Sequence, residues 1–152
     1  MSLDSRLGER PPTSGPSNEV HNLTQKARDL LRSGNLRAAH EAAEGVIKLI
    51  KSKPESDRGR YDAALAKALR VSSSCIVGTS KEKFEARLVI IRDELDALRR
   101  VPHESSNFDL AGALSNLAYH LIQTGEPRAA RIAASEATTI FEKLSQEDMA
   151  RF

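Results

Sequence analysis

Apolar residues recur at spacings of three and four along most of this chain, the period of helices that bury one face. Val20, Leu23, Ala27, Leu30 and Leu31 form the first stripe, from Asn18 onward, and Ser33-Gly34-Asn35 ends it. Glycine is a helix stop there, and Asn35 suits the cap of the next helix. The second stripe is Leu36, Ala39, Ala43, Val46, Ile47 and Ile50, which must close before Pro54. The polar run SKPESDRGR reads as a loop. A third helix starts near Tyr61 and buries Ala64, Leu65, Ala68, Leu69, Ser72 and Ile76 before Gly78-Thr79-Ser80 breaks it. The fourth uses Phe84, Leu88, Ile91, Leu95 and Leu98, with charges on the opposite face, and ends before Pro102; VPHESSN reads as the next loop. The fifth carries Leu110, Ala111, Leu114, Leu117, Ala118, Leu121 and Ile122 up to Thr124-Gly125. The sixth starts at Glu126-Pro127, where proline suits a first turn, and runs through Ala130, Ala133, Ala134, Ala137, Ile140, Phe141 and Leu144. The final SQEDMARF either caps the array or opens a further helix.

The expected architecture is therefore all-α, six helices in three pairs at about 18–53, 60–101 and 107–144. Gly34, Gly78 and Gly125 interrupt it at intervals of 44 and 47 residues. A helix–turn–helix unit repeating at such a period is the mark of an α-solenoid, in which each pair hides its apolar face against its neighbours. Residues 1–17 hold three prolines, two glycines and few apolar side chains. They read as a flexible tail ahead of a repeat domain over 18–152, because such a segment buries too little to offset its ordering entropy.

Composition narrows the picture. A chain of 152 residues suits one domain. Six aromatic residues and abundant alanine disfavour a sandwich or barrel. A net charge of +2 gives no electrostatic footprint for nucleic acid, and the lysines and arginines lie scattered among acids. A single cysteine, Cys75, excludes an internal disulfide and fits a reducing compartment. No apolar run approaches a membrane span, and the start lacks the apolar core of a secretory signal. The expectation is a cytoplasmic protein with neither membrane nor nucleic-acid partners.

The unit ALSNLAYHLIQTGEPRAARIAASEATTIFEKL, Ala113 to Leu144, resembles the tetratricopeptide repeat (TPR). Leu114 stands at the family's first large packing position, Leu117-Ala118 at its Leu-small pair and Leu121 at the large position that follows. Gly125 is the turn, with Ala130 and Ala137 as the small residues that let two helices approach. Ala134 departs from the usual aromatic and Glu142 from the closing proline. In the first unit Gly34, Ala39 and Ala43 align, while Lys26 replaces a leucine; the middle unit has helices without the signature. The long period is most similar to kinesin-light-chain-type arrays. The resemblance covers about Asn18 to Leu144. It implies a right-handed superhelix whose first helix in each pair lines a concave, partner-binding groove.

No catalytic constellation is visible. His21, His40, His103 and His120 are never paired at ligand spacing, Cys75 has no positioned base in sequence, and there is no phosphate loop. The chain reads as no enzyme, with no metal and no cofactor. His120 beside Tyr119 is a groove-lining candidate, though a helix-packed histidine is the commoner case. The resemblance places His21, Thr24, Arg28 and Arg32 of the first pair in the groove, Lys67, Arg70 and Ser74 of the second, and Ser115, Asn116, Tyr119 and Gln123 of the third. Arg28, Arg32, Lys67 and Arg70 would then make a basic patch for an acidic peptide or a chain carboxylate. The carboxylate clamp of chaperone-tail-binding members is missing, since Thr24, Arg28, Gly112 and Asn116 occupy its positions. The expected function is a protein-interaction scaffold. The alternatives are a self-associating segment of a longer array, forming a homo-oligomer, and a small TPR chaperone for a specific partner.

Overall fold

The computed structural model describes residues 18–151, without the side chains of 103–105 and 151. The expected tail over 1–17 and residue Phe152 lie outside the described residues, as does the side chain of His103. Six α-helices follow one another with no strand among the described residues: α1 (Asn18–Arg32), α2 (Leu36–Lys51), α3 (Asp62–Ser74), α4 (Lys81–Arg100), α5 (His103–Gln123) and α6 (Pro127–Arg151). No helix among them is long and apolar enough to cross a membrane.

Local chemistry accounts for the boundaries. Asn35 Oδ1 accepts from the Ala38 amide at 3.3 Å and Ser80 Oγ from the Lys83 amide at 3.3 Å, each capping the helix that follows. The turns after α1 and α5 are the same device. Gly34 has φ +83° and Gly125 φ +82°. The amides beyond them, of Asn35 and Glu126, reach back five residues to the carbonyls of Leu30 and Leu121 at 3.0 and 2.8 Å. This closure satisfies the last carbonyls of a helix and needs a left-handed residue. Five residues past each glycine stands a buried alanine, Ala39 or Ala130.

Three boundaries differ from the sequence expectation. The polar run after α2 is mostly a 3₁₀ helix, Glu55–Tyr61. Arg58 ties it down, donating from Nε to the Lys53 carbonyl and from Nη2 to that of Lys51, both at 3.1 Å. The expected loop VPHESSN shrinks to Val101-Pro102, because α5 already begins at His103. Polar and acidic residues are what a first helical turn accepts as readily as a loop does, and Ser106 is buried there. α3 stops at Ser74, short of Ile76, while α6 continues straight through the expected stop to Arg151.

Each helix packs on the next, and α1 also lies against α3. Two apolar clusters result. Val20 and Ala27 of α1, Ala43, Val46 and Ile50 of α2, and Ala64, Ala68 and Val71 of α3 build the first. Leu88, Ile91 and Leu95 of α4, Leu114 and Leu121 of α5, and Ala130 and Ala137 of α6 build the second, which Ala66 of α3 also enters. α3 thus serves both, and its alanines and serines permit neighbours on opposite sides. α6 leans chiefly on α5. Ala134 and Phe141, expected in its buried stripe, are therefore exposed, as is Ile122 on α5. Ion pairs brace the pairs of helices. Arg100 Nε donates to the buried Asp62 Oδ1 at 3.1 Å, joining α4 to the start of α3. Arg99 grips Glu136 of α6 through two hydrogen bonds of 2.9 and 3.2 Å. The Arg99 hydrogen bond holds the Glu136 carboxyl below its ordinary pKa.

A Cβ at Gly125 meets open space, so Gly125→Ala isolates the backbone cost of the left-handed conformation. Urea denaturation of this variant is expected to show a loss of about 1–2 kcal/mol.

Candidate functional site

α3 and α5 barely touch one another among the described residues, although both pack on α4. Their separation opens a cleft of about 510 Å³. Its walls are Arg28, Leu31 and Arg32 of α1, Ala63, Ala66, Lys67, Arg70 and Val71 of α3, and Ser106 and Asp109 of α5, with Glu94 and Leu98 of α4 between them. Arg28, Arg32, Lys67 and Arg70 fall one turn apart on their helices and are brought together here. Arg32 forms a long ion pair with Asp29 at 3.6 Å, largely in solvent. Among the described residues, no carboxylate comes within ion-pair distance of Arg28, Lys67 or Arg70.

Glu94 is the residue that sequence reading placed among solvent-facing charges. It is only 3% exposed, and its Oε1 has no hydrogen-bond partner. Burial pushes its carboxyl up to about 7; Arg70 works against that rise and Asp109 adds to it. The misplacement has a plain origin. Glu94 lies three residues after Ile91 and four before Leu98, on the buried stripe itself, but an acid in a charged helix reads as solvent-facing. An acidic residue interrupting an otherwise apolar i, i+3, i+7 series was the available signal.

Asn116 and Tyr119 line a different hollow, of about 250 Å³, with Ser73, Ser74, Phe84, Arg87 and His120. Arg87 organises it. Its Nη1 and Nη2 donate to the carbonyls of Ile76 and Gly78 at 2.7 and 2.9 Å, fastening the α3–α4 connection. Its Nε donates to His120 Nε2 at 3.0 Å, and its guanidinium lies 4.6 Å from the Phe84 ring centroid. Since His120 Nε2 accepts, the ring proton sits on Nδ1 and is donated to the Asn116 carbonyl at 2.8 Å. His120 is neutral, its pKa lowered first by burial and further by Arg87. It is a packed structural histidine. Tyr119 stands edge-on to Phe84 at 5.9 Å.

The remaining expectations scatter. Gln123 is exposed at the end of α5 and lines neither cavity. Thr24 is buried, its hydroxyl donating to the Val20 carbonyl at 2.6 Å, so it presents nothing to a groove. His21 belongs to a shallow hollow with Asn22, Gln25 and Asp29 on another side of α1. The helical phase explains both departures. Arg28 and Arg32 lie on the same side as Leu31, and the side of Val20, Thr24 and Ala27 turns into the core. Cys75 is half-buried against the first apolar cluster, and burial raises its thiol pKa, which suits packing rather than nucleophilic chemistry. No group of metal-ligating side chains assembles among the described residues.

No protein-family model matches the sequence, and neither curated proteins nor solved structures give a match.

Two outcomes follow from this geometry. An acid whose folded-state pKa is raised costs stability as pH climbs from its unfolded value through its folded one. Glu94→Gln, which mimics the protonated carboxyl, is therefore expected to stabilise the protein by about 1–3 kcal/mol near pH 8 and to be neutral near pH 4.5, as read by thermal unfolding at the two values. Arg87→Ala leaves the carbonyls of Ile76 and Gly78 and the His120 acceptor without their donor. Denaturant titration is expected to register a loss of about 2–3 kcal/mol.

Proposed function

We propose that the chain is a TPR-like α-solenoid, a right-handed array of three helix pairs, acting as a non-enzymatic module that binds an acidic peptide in the cleft between α3 and α5. The recurrence of one turn at Gly34 and Gly125, each followed five residues later by a buried alanine, supports the repeat reading. The observation that carries the binding reading is the gathering of Arg28, Lys67 and Arg70 around one cleft with, among the described residues, no carboxylate in ion-pair distance of any of them. Like charges held together repel, and a carboxylate-bearing partner relieves that repulsion while gaining charge-assisted hydrogen bonds. The cations occupy two helices and successive turns of each. One turn rises about 5.4 Å, so a chain with several acids matches them better than one anion.

The test is fluorescence anisotropy with labelled polyglutamate-rich and polylysine-rich peptides. Wild type is expected to bind the acidic set, with affinity falling as salt rises. The variant Arg28→Glu/Arg32→Glu/Lys67→Glu/Arg70→Glu, shown helical by circular dichroism, is expected to lose at least about tenfold, about 1.4 kcal/mol. Equal binding by both proteins sinks the assignment of the cleft.

A second reading, self-association, draws on the last two helices. Phe108, Ile132 and Met149 are each more than two-thirds exposed, and Phe108 stacks edge-on with Phe141 at 6.1 Å on the surface. Exposed apolar side chains of this size favour partner burial. Under this reading, sedimentation velocity shows a concentration-dependent dimer that Phe108→Ser/Ile132→Glu returns to monomer.

A further inference from the structure

The proposed cleft holds opposite charges at different depths. Arg28, Arg32, Lys67 and Arg70 are at least partly solvent-exposed, whereas Glu94 lies beneath them, 97% shielded, with one carboxyl oxygen lacking any hydrogen-bond donor. Asp109 lines the same cleft from α5 and adds negative potential at Glu94. A buried acceptor without a donor is destabilising relative to a satisfied one, and a fold carrying such a group beside a cavity offers a place for a donor from outside. Water alone does not use the arrangement fully, because the surroundings also contain a second carboxylate and apolar walls from Leu31, Ala66, Val71 and Leu98. An alkyl chain ending in a cation matches this profile: the stem packs on the apolar walls and the charged end reaches the two carboxyl groups.

We propose that the cleft recognises a basic side chain, lysine or arginine, set within an acidic stretch of a partner polypeptide: the basic group inserts to meet the Glu94 carboxyl group, and the flanking carboxylates pair with Arg28, Arg32, Lys67 and Arg70. This rests on the acidic-peptide reading of the cleft and adds its specificity-determining contact. It separates the work of the two layers. The outer cations attract any acidic chain, and Glu94 selects the one that carries a buried cation at the right place. A neutral or acidic residue at that place leaves Glu94 unsatisfied, which is how a site built to receive a donor rejects analogues without one.

Ionisation is linked to insertion. The groups facing Glu94 across the cleft are Arg28 and Arg32 from α1, Lys67 and Arg70 from α3 and Asp109 from α5; among the described residues no histidine lines it. With its carboxyl raised to about 7, Glu94 must release a proton before it pairs with a cation. Affinity for the basic insert therefore strengthens by about tenfold between about pH 6 and pH 8, the span over which the free carboxyl ionises.

The experiment uses labelled glutamate-rich peptides that differ at one central residue: lysine, arginine or norleucine, the last keeping the alkyl stem without charge. Anisotropy is measured on wild type, Glu94→Gln and the fourfold Arg28→Glu/Arg32→Glu/Lys67→Glu/Arg70→Glu variant. The lysine or arginine peptide is expected to bind wild type about tenfold tighter than the norleucine peptide, equal to about 1.4 kcal/mol. Glu94→Gln erases that preference and the pH dependence. Two results overturn the proposal while leaving the acidic-peptide reading intact: equal binding of all three peptides by wild type with loss in the fourfold variant, or a basic-residue preference that survives Glu94→Gln. Absence of binding by every peptide overturns both. The pH profile on wild type alone keeps the proposal falsifiable should a variant fold poorly; a lysine preference that does not grow from about pH 6 to pH 8 refutes it.

Discussion

α3 is packed on two flanks, and only the side of Ala63, Lys67, Arg70 and Ser74 is open. α1 and α2 lie against it on one flank and α4 on the other, and its residues enter both apolar clusters. A helix enclosed in this way must carry small side chains, or its neighbours would stand too far off to close-pack. Ala64, Ala66, Ala68, Ser72 and Ser73 meet that requirement. The serines add polar groups in a dry place, and each is satisfied: Ser72 donates to Glu44 across to α2, and Ser73 to the carbonyl of Arg70. Everything else is arranged around this rod. The first two helices cover one side, α4 covers the other, and α5 and α6 attach through α4.

The cleft is a product of the same arrangement. α5 seats on α4, which carries larger apolar residues such as Leu88, Ile91 and Leu95, and it does not close on α3. The gap left over has walls from four helices. Its chemistry follows from which side of each helix is not needed for packing. Arg28 and Arg32 lie beside the core stripe of α1, Lys67 and Arg70 beside that of α3. Glu94 is the exception, a carboxyl on the packed side of α4. Its raised pKa means that ionising the carboxyl in the folded protein is unfavourable compared with a solvated acid, a cost in stability that hydrophobic replacement would remove. Sites that bind often retain such costs.

Much of the helical layout was legible from apolar spacing, and the failures are instructive. All of Phe84, Leu88, Ile91, Leu95 and Leu98 are buried as the periodicity requires, because α4 is covered on more than one side. Ala134 and Phe141 satisfied the same period on α6 and yet face solvent, because period says which residues share a side and not whether a neighbour exists to cover them. The run 101–107 misled for a related reason: Ser, Glu and Asn are as much at home in a first helical turn as in a loop. The basic group of the cleft came from helical phase carried over from a resemblance, which served for Arg28, Arg32, Lys67 and Arg70. It misplaced Thr24, four residues earlier on α1, and could not separate Asn116 and Tyr119 into their own hollow. Glu94 was invisible because its type, an acid among acids and bases on α4, outweighed its position. The α3–α4 turn departs from the other two: Gly78 has φ +126°, and the segment is held by Arg87 instead of by the closure used at Gly34 and Gly125.

The Arg87 cluster gives the cleft a mechanical character. α3 and α5 run in the same sense beside α4. Near their C-terminal ends they are riveted together, since Arg87 holds the segment after α3 and the ring of His120 at once. Near their N-terminal ends, where Ala63 and Ser106 face the cleft, no hydrogen bond or ion pair joins α3 to α5 among the described residues. The cleft is therefore asymmetric, fixed in width by the Arg87 hydrogen bonds at one end and by packing on α4 at the other.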